Sequence, residues 1–518
     1  MGHPGGEVVD LIEGFREAGL EFVLTRHEAS AGFMADAMAT ATGIPGACVG
    51  TLGPGATNLV TGVAQSFLDR SPVIAISGQL PADRYEITTH QRIDLKALFA
   101  PITKWQARVT PANARDVIDR AMREALRPRR GPVYLEVPSD VPRLEARDAM
   151  APDDYAFRPG GGFALTAMPA IDVDASGAAA QRIRDSKKPV MLVGMDANDE
   201  VIASRIVAFA EEWSIPVMDS PKAKGAIRED HPLFLGTIEM LGTARLYDYI
   251  ASCDLVLMVG FDPVEFDRDW RAPAEVVHIG PLPNDDRYYR ASVEVVGPIN
   301  EALDAIRSLC GTGEAKSKPE DVAAFRKDFR SYVAPERKGL TAQQVLAALR
   351  AALPGDAIAT CDVGYNKAVT GQCWTAYAPK TFFMSNGLSS MGYGLPAAIG
   401  LKLVHRDRDV VCVLGDGGFA MTMAELETAA RLELPVIVVV LADDALSQIK
   451  AGQERRGFPV VGTTFRGLDY VAVARGFGAA GYDVATEAEV RDAVAAAKRA
   501  KTPTLIAAHV DPSAYQLD

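Results

Sequence analysis

Apolar residues along the chain gather in short runs, and between them apolar positions recur at helical spacing. Such alternation predicts parallel α/β units. In the first third, strands are expected near "EFVLTR", "GACVGTLG", "PVIAISG" and "PVYLEVP". The stretch "RPGGGFALTAMPAIDVDASG" is rich in Gly, Pro and Ala and reads as a linker. A second unit carries "PVMLVGMD", "PVMDS", "LVLMVGFDP" and "VVHIG". The polar segment "CGTGEAKSKPEDVAAFRKDF" reads as a second linker. A third unit starts near "LTAQQVLAALR" and includes "AIATCDVG", "VVCVLGDGG", "PVIVVVLADD" and "PTLIAAHVDP". The expected fold class is therefore α/β, with three doubly wound parallel-sheet domains at residues 1–157, 175–310 and 338–518.

Length agrees, since 518 residues exceed what one core can organise. Hydrophobic residues at 48% and charged residues at 23% are ordinary for a soluble globular chain. A net charge of -13, with no Lys/Arg-rich run, argues against nucleic acid as a partner. Six scattered cysteines without CxxC spacing read as reduced core thiols, hence a cytoplasmic protein. No apolar run is long enough to span a membrane, and "MGHPGGEVVD" has no basic-then-apolar signal.

The chemistry centres on residues 410–450, "VVCVLGDGGFAMTMAELETAARLELPVIVVVLADDALSQIK". One apolar run ends at Gly415-Asp416-Gly417-Gly418, the next at Asp443-Asp444. A separation of 27 residues between Asp416 and Asp443 fits strand, helix, next strand. In an open parallel sheet, ligands bind beyond the carboxyl ends of strands. Hard carboxylate oxygens there suit Mg²⁺ bound together with a phosphate. Gly417 and Gly418 would let backbone N–H groups approach that phosphate. The plainer alternative is a tight βα turn and a solvated acid pair.

Several further motifs stand in order: "RHEASAGFMADAMATATG", "TLGPGATN", "VGFDPVEF" and "SNGLSSMGYGLPAAIG" ahead of GDGG. Together they resemble the thiamine-diphosphate-dependent enzymes, specifically the acetolactate synthase-like group, over nearly the whole chain. The resemblance implies pyrimidine-binding, central and diphosphate-binding domains in that order. It also implies thiamine diphosphate and Mg²⁺ as cofactors. Glu28 would hydrogen-bond the aminopyrimidine ring and favour its imino tautomer, for which a carboxyl needs a dry pocket. Met391 would wedge beneath the cofactor rings, and the backbone of Ser389 and Met391 would meet the pyrimidine edge. Asp416, Asp443 and the carbonyl of Ala445 would hold the metal, with Asp444 as the rival ligand. Tyr365 and Asn366 would lie by the diphosphate, Asn58 would close over the pyrimidine, and Pro4, Thr51 and Leu446 would also contact the cofactor. His90 and Gln91 would face substrate, Gln91 as a catalytic group, with Gln448 and Lys450 lining the same cavity. The family's sites combine two subunits, so a homodimer or homotetramer is expected.

The chain also departs from the family pattern. Relatives carry a helix and a strand before the turn found here at residues 2–6, so a sheet edge or gap is expected. Asp262 occupies an Arg position of the FAD-binding synthases, which makes FAD unlikely and points to the FAD-independent, catabolic type. Gly452 replaces an acceptor-selecting Trp. The expected activity is carboligation: decarboxylation of a 2-keto acid such as pyruvate and transfer of its C2 unit to a second carbonyl. "IDLKALFAPITKW" keeps a benzaldehyde-lyase-like 2-hydroxy-ketone lyase open, beside a 2-keto-acid decarboxylase or a catalytically silent paralogue. No GxGxxG follows a strand, which disfavours a nicotinamide dehydrogenase.

Overall fold

The computed structural model describes residues 1–147, 168–285 and 288–512. The ends of the first expected domain and the first part of the Gly/Pro-rich linker lie outside the described residues. The chain forms two compact units.

The first unit contains one parallel sheet of β1 (Gly46–Gly50), β2 (Val73–Gln79), β3 (Trp105–Arg108) and β4 (Val133–Pro138), in the order β1-β2-β4-β3. Helix Glu28–Thr42 packs against helix Pro54–Leu68. Their axes approach closely because Gly32 faces Gly62, where a Cβ would stand 2.7 Å from the opposite Cα. Residues 387–406 and 422–434 belong to this unit although they come from the last third of the chain. Helix Gly394–Val404 lies on the Glu28 helix, with Tyr393 Oη donating to Asp36 Oδ2 at 3.1 Å. The expected strand at "EFVLTR" is reduced to a single bridge at Leu24. Of the sheet edge or gap expected here, β1 is the edge strand of its sheet, and Gly2 forms isolated parallel bridges with both Leu24 and Val49.

The second unit contains two parallel sheets. One comprises β5 (Pro189–Val193), β6 (Val217–Asp219), β7 (Phe234–Thr237), β8 (Leu255–Val259), β9 (Glu275–Gly280) and β10 (Val293–Val296), ordered β10-β9-β8-β5-β6-β7. The other comprises β11 (Ile358–Cys361), β12 (Phe382–Met384), β13 (Val410–Gly415), β14 (Val436–Ala442), β15 (Ala480–Val484) and β16 (Thr504–His509), ordered β12-β11-β13-β14-β16-β15. β13 and β14 are almost entirely buried, which is why they read as unbroken apolar runs. The expected second linker is corrected in part, because Pro319–Val333 is a helix. Pro319 and the acids Glu320 and Asp321 favour its start, and Val322, Phe329 and Val333 bury one face.

Candidate functional site

In the last sheet, strand order reverses between β11 and β13, and such a switch point opens a crevice beyond the strand ends. Three acids follow the ends of adjacent strands: Asp362 after β11, Asp416 after β13 and Asp443 after β14. Asp416 is buried and wrapped by backbone donors. Gly417 N donates to its Oδ1 at 2.8 Å, while Asp443 N and Asp444 N donate to its Oδ2 at 3.1 and 2.6 Å. Burial, reinforced by the Asp443 charge, still pushes the Asp416 carboxyl up to about 6. Asp443 accepts from Ala445 N at 3.2 Å and from Ser447 Oγ at 2.6 Å.

Geometry separates the two candidate acids. The Asp444 carboxylate lies against Gly467, where a Cβ would stand 2.8 Å from its Oδ1, and Asp444 itself sits at φ +57°. Asp443 is the acid that acts electrostatically on Asp416. Among the described residues no group of three or more His, Cys, Asp or Glu is arranged as a metal cage. The donor set nevertheless has the chemistry for one divalent cation: two hard carboxylates that follow neighbouring strand ends. A cation between them would also remove the like-charge penalty on Asp416.

The surrounding residues have specific places. Gly418 is required by Asp362, since a Cβ would stand 2.5 Å from Asp362 Oδ2. Asn366 Nδ2 donates to Asp362 O at 2.8 Å. Tyr365 is buried and packs in the hydrophobic core of the second unit. Ala445 bridges to Thr464, and Leu446 N donates to Thr463 O at 2.7 Å. Gln448 is exposed and Lys450 half-buried on helix Ser447–Arg455. A Cβ on Gly452 would meet nothing within 4 Å.

In the first unit, Glu28 is buried at the start of its helix, where the His27 side chain caps Ala29 N. Asn58 Nδ2 donates to Glu28 Oε2 at 3.0 Å, bringing together two of the expected residues. Thr51 Oγ1 donates to Glu7 Oε2 at 2.7 Å, and the neighbouring Pro4 is exposed. Gln91, at φ +57°, lies against Gly53; both Gln91 and His90 are exposed. Ser389 adopts φ +51° two residues before the half-buried Met391.

Two supporting acids, Glu425 and Asp362, were not named from the sequence. Glu425 Oε1 accepts from Arg26 N at 3.0 Å and His27 N at 3.2 Å, fixing the approach to Glu28. No local signal links positions 399 residues apart. Asp362 was open to discovery, because "CDVG" repeats the pattern of an acid at a strand end followed by glycine.

Residues 1–98 match the family domain described as "Thiamine pyrophosphate enzyme, N-terminal TPP binding domain". Residues 177–306 match its central domain and 362–508 its C-terminal TPP binding domain. The chain is 31% identical to a probable acetolactate synthase large subunit of Methanocaldococcus jannaschii, covering 99% of this chain and 89% of that protein. It is 32% identical to an acetolactate synthase large subunit of Parasynechococcus marenigrum, covering 98% and 84%. It is 28% identical to a catabolic acetolactate synthase of Raoultella terrigena, covering 99% and 92%. With all three domains matched and full-length relatives of one kind, the chain belongs to the thiamine pyrophosphate enzymes, as a member of the acetolactate synthase type.

Proposed function

We propose that the protein is a carboligase that decarboxylates a 2-keto acid such as pyruvate and transfers the C2 unit to a second carbonyl. The observation that carries this reading is that one chain carries both a buried Glu28 held by Asn58 in its first unit and the strand-end carboxylates Asp416 and Asp443 in its second. Thiamine diphosphate, when bound, supplies the nucleophilic carbon and the electron sink for decarboxylation. Asp416, Asp443 and the Ala445 carbonyl would hold Mg²⁺ and through it the diphosphate. Glu28 would hold a proton at the aminopyrimidine, Asn58 would orient Glu28, and Met391 would support the rings. Gln91 would face the substrate from the rim.

The FAD-independent reading has its own support. In the central sheet the order reverses between β5 and β8. There the buried Glu265 carboxylate accepts from Met195 N at 2.9 Å, Asp262 N at 2.9 Å and Ser220 Oγ. A dinucleotide pyrophosphate would meet this acid and the Asp262 carboxylate, which caps Val264 N. Arg271 pairs with Asp269 at 3.0 Å, and Arg268 lies 4.0 Å from Glu239. A homodimer or homotetramer is supported by exposed Met421, Ile449, Phe458, Val461 and Phe465 near the metal-binding loop.

Incubation with thiamine diphosphate, Mg²⁺ and a panel of 2-keto acids and aldehydes, with product analysis, tests the reading. A 2-hydroxy-3-keto acid from pyruvate is expected. Free aldehyde as the sole product would make the protein a decarboxylase, and cleavage of 2-hydroxy ketones would make it a lyase.

A further inference from the structure

Residues 387–393, which carry Ser389 and Met391, form neither strand nor helix and belong to the first unit. Their backbone enters the left-handed region twice, at Ser389 with φ +51° and at Gly392 with φ +86°. A serine held there is strained and persists only where its surroundings fix it. Two buried acids supply contacts at the two ends of the segment. Gly387 N donates to Asp69 Oδ1 at 2.6 Å, and Tyr393 Oη donates to Asp36 Oδ2 at 3.1 Å. Asp69 follows helix Pro54–Leu68, and Asp36 lies within helix Glu28–Thr42.

Burying a carboxylate costs free energy unless hydrogen bonds offset it, so two buried acids behind one short segment mark a constraint on that segment. The buried Gln65 donates its Nε2 to Asp69 Oδ2 at 2.5 Å, which aims the other oxygen at Gly387. Tyr393 is buried with its ring edge-on to Phe33, the centroids 5.6 Å apart. Burial, with the charges of Asp36 and Asp69 next, pushes its phenol well above the ordinary range, so it stays a donor. The helices behind both acids are locked where Gly32 meets Gly62. The segment is therefore anchored to one frame at both ends, with Met391 between the anchors. Neither acid is among the residues assigned to the cofactor, so each acts through the segment it holds.

We propose that Asp36 and Asp69 are positioning residues: by holding Tyr393 and Gly387 they fix residues 387–393 so that Met391 supports the thiamine rings. This rests on the assignment of Met391 to those rings. Hydrogen–deuterium exchange at C2 of bound thiamine diphosphate, measured without substrate in the presence of Mg²⁺, tests it beside calorimetric affinity for the cofactor. Asp69→Ala should slow exchange at least tenfold, the scale of a small misplacement. Cofactor affinity should stay within threefold, because Asp416 and Asp443 hold the diphosphate end. Asp69→Asn keeps an acceptor for Gly387 N and should restore exchange to within threefold of wild type. Met391→Ala should slow exchange as much, and Asp69→Ala should add nothing in that background. Tyr393→Phe removes the hydroxyl, keeps the ring against Phe33 and should slow exchange at least threefold. It carries the test if Asp69→Ala does not fold. Wild-type exchange in Met391→Ala would sink the assignment of Met391 and the proposal with it. Slow exchange in Met391→Ala beside wild-type exchange in Asp69→Ala or Tyr393→Phe overturns the proposal alone. So does an Asp69→Ala effect that multiplies with that of Met391→Ala.

Discussion

The two sheets of the second unit share one architecture and differ at their switch points. In the central sheet, Glu265 sits in the crevice with its oxygens taken by a serine and two backbone N–H groups. In the last sheet, Asp416 is wrapped by backbone donors in the same manner, but Asp443 stands beside it on the next strand end. The second acid of the central crevice, Asp262, lies on the same turn as Glu265, caps Val264 N and is the least of the influences on the Glu265 carboxyl. In the last sheet the second acid stands on the neighbouring strand end and is the largest influence on Asp416 after burial, a like-charge pair that a cation would relieve. The crevice comes with the fold, and the residues beyond the strand ends decide whether it holds a ligand.

The comparison can be broken in several ways, beginning with the largest effect. Glu28→Gln should lower turnover by about 10²–10⁴-fold, the usual scale for an acid–base group, while cofactor affinity holds. Steady-state kinetics beside calorimetry would separate anchoring from proton chemistry, and equal losses in both would merge them. Glu425→Ala leaves Arg26 N and His27 N without their acceptor and should cost about 3 kcal/mol of stability in chemical unfolding. An unchanged midpoint would mean that the approach to Glu28 is held by other contacts.

Glu265 offers a pH test. Burial pushes its carboxyl up to about 8 from the ordinary 4.5, so the folded state binds the proton more tightly than the unfolded chain. Its contribution to stability is therefore full below about pH 4.5 and is lost as pH rises through about 8. Unfolding followed across that window should show the decline in the wild type and a flatter profile in Glu265→Gln. Parallel profiles would place the titration elsewhere. The smallest expected signal is flavin: purified protein should be colourless, and added FAD should change neither turnover nor absorbance. Stoichiometric flavin would mean that the central crevice opens.

The spacing of Asp416 and Asp443 already implied neighbouring strands, and β13 and β14 are neighbours in register, with Gly415 opposite Leu441. The interior strands announce themselves because burial on both faces demands continuous apolar runs. The sequence does not announce β3, β7, β10, β12 and β15, and each of these lies at the edge of its sheet. Edge strands such as "WQAR" and "FLGT" span only four residues each, too short a run to stand out even though "FLGT" is buried throughout. Helix Pro319–Val333 hides for another reason: its exposed face is so polar that the segment reads as a linker. Glu28 and Asn58 were named through the family resemblance, and the fold joins them by a hydrogen bond. The support from Glu425 was not named, because only the fold brings it to Arg26.

The most direct test of the account is calorimetric titration of thiamine diphosphate into wild-type protein and Asp416→Ala, each with Mg²⁺ and with EDTA. The account predicts one site per chain in the wild type with Mg²⁺, and at least a hundredfold loss of affinity on removing either the metal or the Asp416 carboxylate. Wild-type affinity in Asp416→Ala, or binding indifferent to EDTA, would contradict it by placing the diphosphate away from the ends of β13 and β14.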